Sequence, residues 1–311
     1  MYKIIAMKYF LICAVALTIL SCDTKVHVES NGKTIIGEDP LETLENRELT
    51  QEFKDYWYSG EAEISSYDLS QARYGEMREG TAVMIFVTES FDKKDQVKAD
   101  QANDSNRPVL KFNATRDFNT GIYPYHIMSS TFLPLDKKDN AIKVASSIQE
   151  WCGQTYMQMN QDGDEYEVIL HSYFQSEGND DFEIENVMTE NQIAAQLRLD
   201  PQAMPTGANK IIPSTEFLRL KHVETKPYDA VAKLSEMEDG FLYSVKFTDL
   251  GRTIAFKTEK TSPYRILSWM DRYKDGSTPM VSTGTLKKSI KSAYWGKNAN
   301  KDAVLRDSLG I

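Results

Sequence analysis

Few residues in this chain could do covalent chemistry, and they are thinly spread. Cys152 lies in Gln149-Glu150-Trp151-Cys152-Gly153 and is a candidate nucleophile. A thiol attacks as thiolate, so it needs a base, and His126 and His171 are the imidazoles in the same strand-rich region. No local spacing brings either ring to the sulfur. An extracytoplasmic enzyme using Cys152 with a histidine therefore competes with a plainer reading, in which Cys152 is a small buried apolar residue. His171 falls mid-strand on the face of Ile169 and Tyr173, opposite Val168 and Leu170.

Metal chemistry has a partial motif. Asn160, Asp162 and Asp164 carry the one-three-five spacing of an EF-hand loop, but Glu165 stands where glycine is needed and His171 where a bidentate glutamate is needed. A hairpin turn is the better reading. The acidic run Glu177, Asp180, Asp181, Glu183 and Glu185 reads as a solvated loop. No His/Cys pairing has zinc spacing, and there is neither a phosphate-cradling glycine loop nor a Gly-x-Ser-x-Gly elbow. No metal and no cofactor is expected.

Aromatic residues offer a binding chemistry instead. Tyr56-Trp57-Tyr58 and the segment Ile122-Tyr123-Pro124-Tyr125-His126 place rings near element ends. Tyr123, Tyr125 and Trp151 are the candidates to line the mouth of a β-cavity holding an apolar or carbohydrate ligand. The alternative is that they are ordinary core and edge packing.

The elements that must position these residues are mostly strands. Pro40 to Trp57 has apolar residues at helical spacing and predicts an amphipathic helix or helix pair. Beyond it the period becomes two. Ala82 to Val87 is apolar on both faces, as in a strand near the middle of a sheet, and further strands are expected from Val109 to Phe174. Asp162-Gly163, Asp239-Gly240 and Asp275-Gly276 sit between alternating runs and predict tight hairpins made with positive φ. Thr189 with Gln192 makes a capping-box pattern opening a helix that Pro201 ends. Pro205 and Gly207 then read as a linker, and Asn300 to Leu309 as a short terminal helix. The fold class expected is mainly β: a large curved antiparallel sheet or open barrel of meandering hairpins, with a short N-terminal helical region and one or two inserted helices.

The first 22 residues set the address. Lys3 and Lys8 precede an apolar run from Tyr9 to Leu20, then Ile19-Leu20-Ser21-Cys22. This has the parts of an export signal, and its last four residues resemble the bacterial lipobox. The resemblance implies removal of residues 1–21 as a signal peptide and acylation of Cys22. Two or more acyl chains, at ~0.8 kcal/mol per buried methylene, make a stable anchor. Residues 22–39 then form a polar tether, 40–200 a helix plus antiparallel β region, and 201–311 a C-terminal β-meander lobe continuous with the preceding sheet. With Cys13 in the leader and Cys22 acylated, Cys152 has no partner for an intrachain disulfide.

Composition agrees with a folded body: 41% hydrophobic, 26% charged and 11% aromatic residues exclude disorder and fibre. The net charge of −10, or −12 once Lys3 and Lys8 leave with the leader, makes nucleic acid an unsuitable partner.

The blocks Gly60-Glu61-Ala62-Glu63-Ile64, Gln71-Ala72-Arg73-Tyr74-Gly75-Glu76, Val87-Thr88-Glu89, Gly121-Ile122-Tyr123-Pro124-Tyr125 and Gln149 to Gly153 together resemble a lipoprotein family of Bacteroidota-type bacteria. Its members are often labelled septum formation inhibitor Maf. The Maf family proper are cytosolic nucleotide pyrophosphatases with a Ser-x-Ser-x-Arg-Arg-type signature, which is absent here, as are paired arginines anywhere in the chain. The resemblance implies an envelope lipoprotein and supplies no catalytic residues. Taken together, the sequence predicts a non-enzymatic ligand- or partner-binding module. It would be held outside the cytoplasm by acylated Cys22, with the outer membrane favoured over the inner and an envelope lipid, glycan or protein as partner.

Overall fold

The computed structural model describes residues 44–311. Cys13, Cys22, the leader, the tether and the first residues of the expected N-terminal helix lie outside them. Among the described residues no helix is long and apolar enough to cross a membrane.

Fourteen strands form one antiparallel sheet: β1 (Ala62–Arg73), β2 (Glu76–Phe91), β3 (Arg107–Thr120), β4 (Tyr123–Pro134), β5 (Lys143–Glu150), β6 (Gly153–Asp162), β7 (Glu165–Ser172), β8 (Asn179–Glu185), β9 (Gly207–Ile211), β10 (Tyr228–Met237), β11 (Gly240–Phe247), β12 (Arg252–Glu259), β13 (Ile266–Asp275) and β14 (Thr278–Ser292). Their spatial order is 8-7-6-5-4-3-2-1-14-13-12-11-10-9. The chain therefore starts mid-sheet, meanders out to one edge, crosses to the other and meanders back, so that β14 pairs with β1. Every other neighbouring pair is consecutive in sequence, which is why short turns suffice.

The crossing segment fills the trough of the curved sheet. It holds two 3₁₀ turns (Glu190–Gln192 and Pro201–Ala203), helix α2 (Ile193–Leu199), β9 and helix α3 (Thr215–Lys221), while α1 (Gln51–Trp57) precedes the sheet. The sheet does not close, because β8 and β9 are edges. It curls far enough that the chains leaving them meet: Thr189 bridges Ile212 in parallel, with Glu190 N donating to Ile212 O at 2.8 Å and Ile212 N to Met188 O at 3.0 Å.

Strand parity divides the residues. Tyr67 and Leu69, Phe86, Phe112, Ile127, Val245 and Ile254 face inward to one core, which α2 enters with Ile193, Ala194 and Leu197. The apolar second face of Ala82–Val87 has its own cover: Val83, Ile85 and Val87 pack with Ile64 under Leu309 of the terminal helix α4 (Val304–Leu309). Ser66 Oγ fastens that helix by donating to Leu309 O at 2.5 Å.

Four local expectations are corrected. The N-terminal helix is shorter, since residues 44–50 are not helical and Thr50 caps α1 by accepting from Phe53 N. The acidic run read as a solvated loop is largely edge strand β8, whose charges on the open face discourage strand addition. Of the three Asp-Gly turns, Gly163 (φ +55°) and Gly276 (φ +63°) are left-handed, but Gly240 is not. It opens β11 where an added Cβ would sit 1.9 Å from Thr258 O, so its small size serves close approach to β12. The expected linker contains β9, and helix α3 follows it, capped by Ser214 Oγ accepting from Phe217 N.

Candidate ligand cleft

Inward parity places charges as well as apolar groups over the trough. Arg116 shares the face of Phe112 and Phe118 on β3; Arg252 shares that of Ile254 on β12; Asp271 lies between Trp269 and Tyr273 on β13. Glu190 and Glu216 come down from the crossing segment above them. Together they border a cleft of about 50 Å³, whose walls are otherwise largely apolar: Met84, Phe112, Ala114, Ala194, Ile254 and Trp269.

Most of the charge is satisfied internally. Arg252 donates through Nη1 and Nη2 to Glu190 at 2.5 and 2.7 Å, and through Nε and Nη2 to Asp271 at 2.8 and 3.0 Å. Its face lies 3.7 Å from the Phe217 ring centroid. Burial alone would lower the Arg252 pKa, but the adjoining carboxylates of Asp271 and Glu190 raise it, so it stays charged. Glu190 also accepts from Ser214 N at 3.0 Å. Glu216, 3% exposed, accepts from Ser129 Oγ (2.8 Å), Asn191 Nδ2 (2.7 Å) and Thr215 Oγ1 (3.2 Å). Burial would raise its pKa, but the charge of Arg116 and these hydrogen bonds hold it below the ordinary carboxylate value.

Arg116 is different. Its guanidinium carbon stands 4.9 Å from the Trp269 ring centroid, yet among the described residues it makes no ion pair within 4.0 Å and no hydrogen bond. Trp269 is 6% exposed and its Nε1 has no acceptor. The indole takes up its position because residue 284 is glycine: a Cβ there would lie 2.2 Å from Nε1. The cleft thus holds an unused fork of N–H donors over an aromatic face, in a mostly apolar room.

The residues singled out from the sequence lie elsewhere. Tyr125 is 2% exposed and stacked on Phe118 (5.1 Å, 4°), its hydroxyl accepting from Arg73 Nη2 at 3.1 Å. It borders a separate cavity of about 30 Å³ that also reaches Arg219 and His222, and half-buried Tyr123 packs 5.9 Å from it. Trp151 is exposed in the β5–β6 turn. His126 faces solvent with Nδ1 2.6 Å from Asp117, and His171 is also exposed, with Nδ1 3.2 Å from Asn179.

Cys152 is exposed, not buried, in the same turn as Trp151. It shares an open surface depression with His171, but its backbone N–H donates to Glu150 Oε2 at 2.7 Å, and that carboxylate beside the thiol, as acceptor and as charge, pushes its pKa up, with slight desolvation adding to it. This is the reverse of what an activated nucleophile needs. Asp162 and Asp164 flank the left-handed Gly163 of the β6–β7 turn. Among the described residues no group of three or more His, Cys, Asp or Glu is placed to hold a metal.

The cleft residues Arg116, Glu190, Glu216, Arg252, Asp271 and Trp269 were not singled out from the sequence. The signal available was parity: a charge at an inward position of an alternating strand. Comparisons with protein-family models, with curated proteins and with solved structures return no match to this chain.

Proposed function

We propose that this chain is an envelope lipoprotein of the Bacteroidota-type family it resembles. Acylated at Cys22 and held outside the cytoplasm, it acts as a non-enzymatic module that takes a small ligand into the cleft between sheet and crossing segment. The observation that carries the binding half is the cleft itself: a largely apolar space of about 50 Å³ beside which half-buried Arg116 has no acceptor among the described residues. Trp269 Nε1 is a buried donor without an acceptor at this cleft, and an unmade hydrogen bond to a desolvated group costs ~1–3 kcal/mol. The export half rests on the order of basic flank, apolar run, small residue and cysteine at residues 3–22.

Two measurements test it. Radiolabelled palmitate should enter the full chain and not the Cys22→Ser variant. A neutral amphiphile, dodecan-1-ol, should bind the native chain and lose affinity in Ala114→Trp, which fills the cleft wall. An unlabelled native chain removes the anchor, and alcohol binding indifferent to Ala114→Trp removes the cleft.

A further inference from the structure

The outer face of the sheet carries a second site, separate from the cleft. We propose that the open depression across β5, β6, β7 and β8 binds a neutral oligosaccharide. Tyr156 and Tyr173 supply its stacking surfaces, and Gln149, Gln154 and Asn179 its hydrogen-bonding groups.

Strand register builds the site. Ser147 of β5 pairs with Tyr156 of β6, Tyr156 with His171 of β7, and His171 with Asn179 of β8, so these four stand in one row across the sheet. Gln149 pairs with Gln154, and Tyr173 N, just beyond β7, donates to Gln154 O at 3.3 Å. This second row lies two residues along each strand and therefore on the same face. At ~4.8 Å between neighbouring strands the first row spans about 14 Å, longer than a single pyranose ring. Both rows line a depression of about 550 Å³, within the ~300–1,000 Å³ of small-ligand sites.

Its rings are presented rather than packed away. Tyr173 is 65% exposed, yet its seat is fixed: a Cβ on Gly153 would come within 2.4 Å of its Cγ, so only glycine leaves room for the ring to lie against the β6 backbone. Phe174 meets it edge-on, with centroids 5.6 Å apart. Tyr156 Oη donates to Gln158 Oε1 at 2.6 Å, which holds that ring along its strand.

The lining selects the class of ligand. None of the residues around the depression is Asp, Glu, Lys or Arg, although these types make up 26% of the chain. A charged ligand would lose hydration there and find no counter-charge. A purely apolar one would strip water from the amides and return no hydrogen bond. Among the described residues the side chains of Gln149 and Gln154 bond to no other protein group, and Asn179, whose Oδ1 meets His171 Nδ1 at 3.2 Å, keeps its Nδ2. An amide both donates and accepts, as a sugar hydroxyl does. A sugar also turns C–H bonds with slight positive charge to its faces, and the electron-rich face of a tyrosine attracts them.

The experiment titrates the full chain by calorimetry with neutral hexasaccharides (maltohexaose, cellohexaose, mannohexaose and N-acetylchitohexaose), with hexagalacturonate and the glucosamine hexamer as charged counterparts, and with phosphatidylcholine vesicles. At least one neutral hexamer should bind, about tenfold or more tighter than either charged one. Tyr173→Ala should weaken it about tenfold, the scale of one aromatic contact, while Tyr173→Phe keeps the ring and should stay within about twofold. Ala114→Trp, in the cleft, should leave it unchanged. Circular dichroism and thermal unfolding confirm that the variants fold, and Gln154→Ala carries the test if Tyr173→Ala does not. The proposal is overturned if no neutral hexamer binds, if a charged hexamer binds as tightly, or if sugar binding survives both Tyr173→Ala and Gln154→Ala. Vesicle binding that Tyr173→Ala abolishes would make the exposed rings a membrane contact, and sugar binding lost only in Ala114→Trp would move the sugar into the cleft; either result overturns it too.

Discussion

Glu63 on β1 and Arg198 on α2 meet as a bidentate ion pair, with Nη1 and Nη2 donating at 2.5 and 2.7 Å across 135 residues of sequence. Both side chains are at most 1% exposed. Arg198 also packs against both the Trp57 and Phe86 rings, 5.0 and 4.9 Å from their centroids, and donates through Nε to Pro263 O at 2.7 Å. Tyr56 Oη donates to Glu63 at 2.5 Å. The pair ties the crossing segment to the middle of the sheet, and α2 in turn forms one wall of the cleft through Ala194.

Breaking that pair from one side should be costly. Glu63→Gln leaves a desolvated guanidinium without its counter-charge, and the loss expected is ~3–5 kcal/mol in urea unfolding. Replacing both partners, as Glu63→Leu with Arg198→Met, should cost less than Glu63→Gln alone. Equal or greater loss in the double variant would show that the burial argument is wrong.

Acid should weaken the fold through Glu63 and Glu216. Burial would raise each pKa, but Arg198 and its hydrogen bonds hold Glu63 low, and Arg116 with its hydrogen bonds holds Glu216 low. A carboxylate whose folded pKa is depressed stabilises the fold fully above its ordinary value of about 4.5, and that contribution disappears as pH falls through the folded pKa. Urea midpoints should therefore drop below about pH 4.5, and less steeply in Glu216→Gln. An acid limb of identical slope in that variant sinks the assignment.

Glycines should separate by mechanism. Gly276→Ala meets no atom but must hold φ +63°, a cost of ~1–2 kcal/mol. Gly240→Ala has no such φ, yet its Cβ would meet backbone Thr258 O at 1.9 Å, and backbone cannot turn aside as a side chain can. Thermal unfolding should rank Gly240→Ala as the more damaging. The reverse order would mean that the β11–β12 approach is looser than described.

Cys152 should be an ordinary thiol. It is exposed, and the Glu150 carboxylate beside it raises its pKa, so iodoacetamide at pH 7 should modify it readily but no faster than a free cysteine. Glu150→Gln should speed the reaction. Hyper-reactivity in the native chain would revive the enzymatic reading.

Much of the sheet was readable in advance, for a local reason. Alternation in Phe241, Tyr243, Val245 and Phe247 and turns such as Leu250-Gly251 are properties of neighbouring residues, and twelve of the thirteen strand pairings join consecutive strands. The two apolar faces of Ala82–Val87 likewise announced a central strand. Pairing of β1 with β14 was not readable, since it closes the whole chain between them, nor was the meeting of Thr189 with Ile212.

The site depended on those non-local events. Aromatic clusters drew the eye to Tyr123, Tyr125 and Trp151 because rings adjacent in sequence are conspicuous. Yet an alternating strand sends neighbours to opposite faces, and a hairpin turn leaves Trp151 in solvent. Arg116 and Trp269 stand 153 positions apart on strands separated by three others, and only the curl of the sheet brings guanidinium over indole. Composition, period and turn chemistry determined by themselves that the chain would build a meandering antiparallel sheet. Curvature and the crossing segment decided which of its charges stay unpartnered, because a charge's partners are set by distance in space and not along the chain.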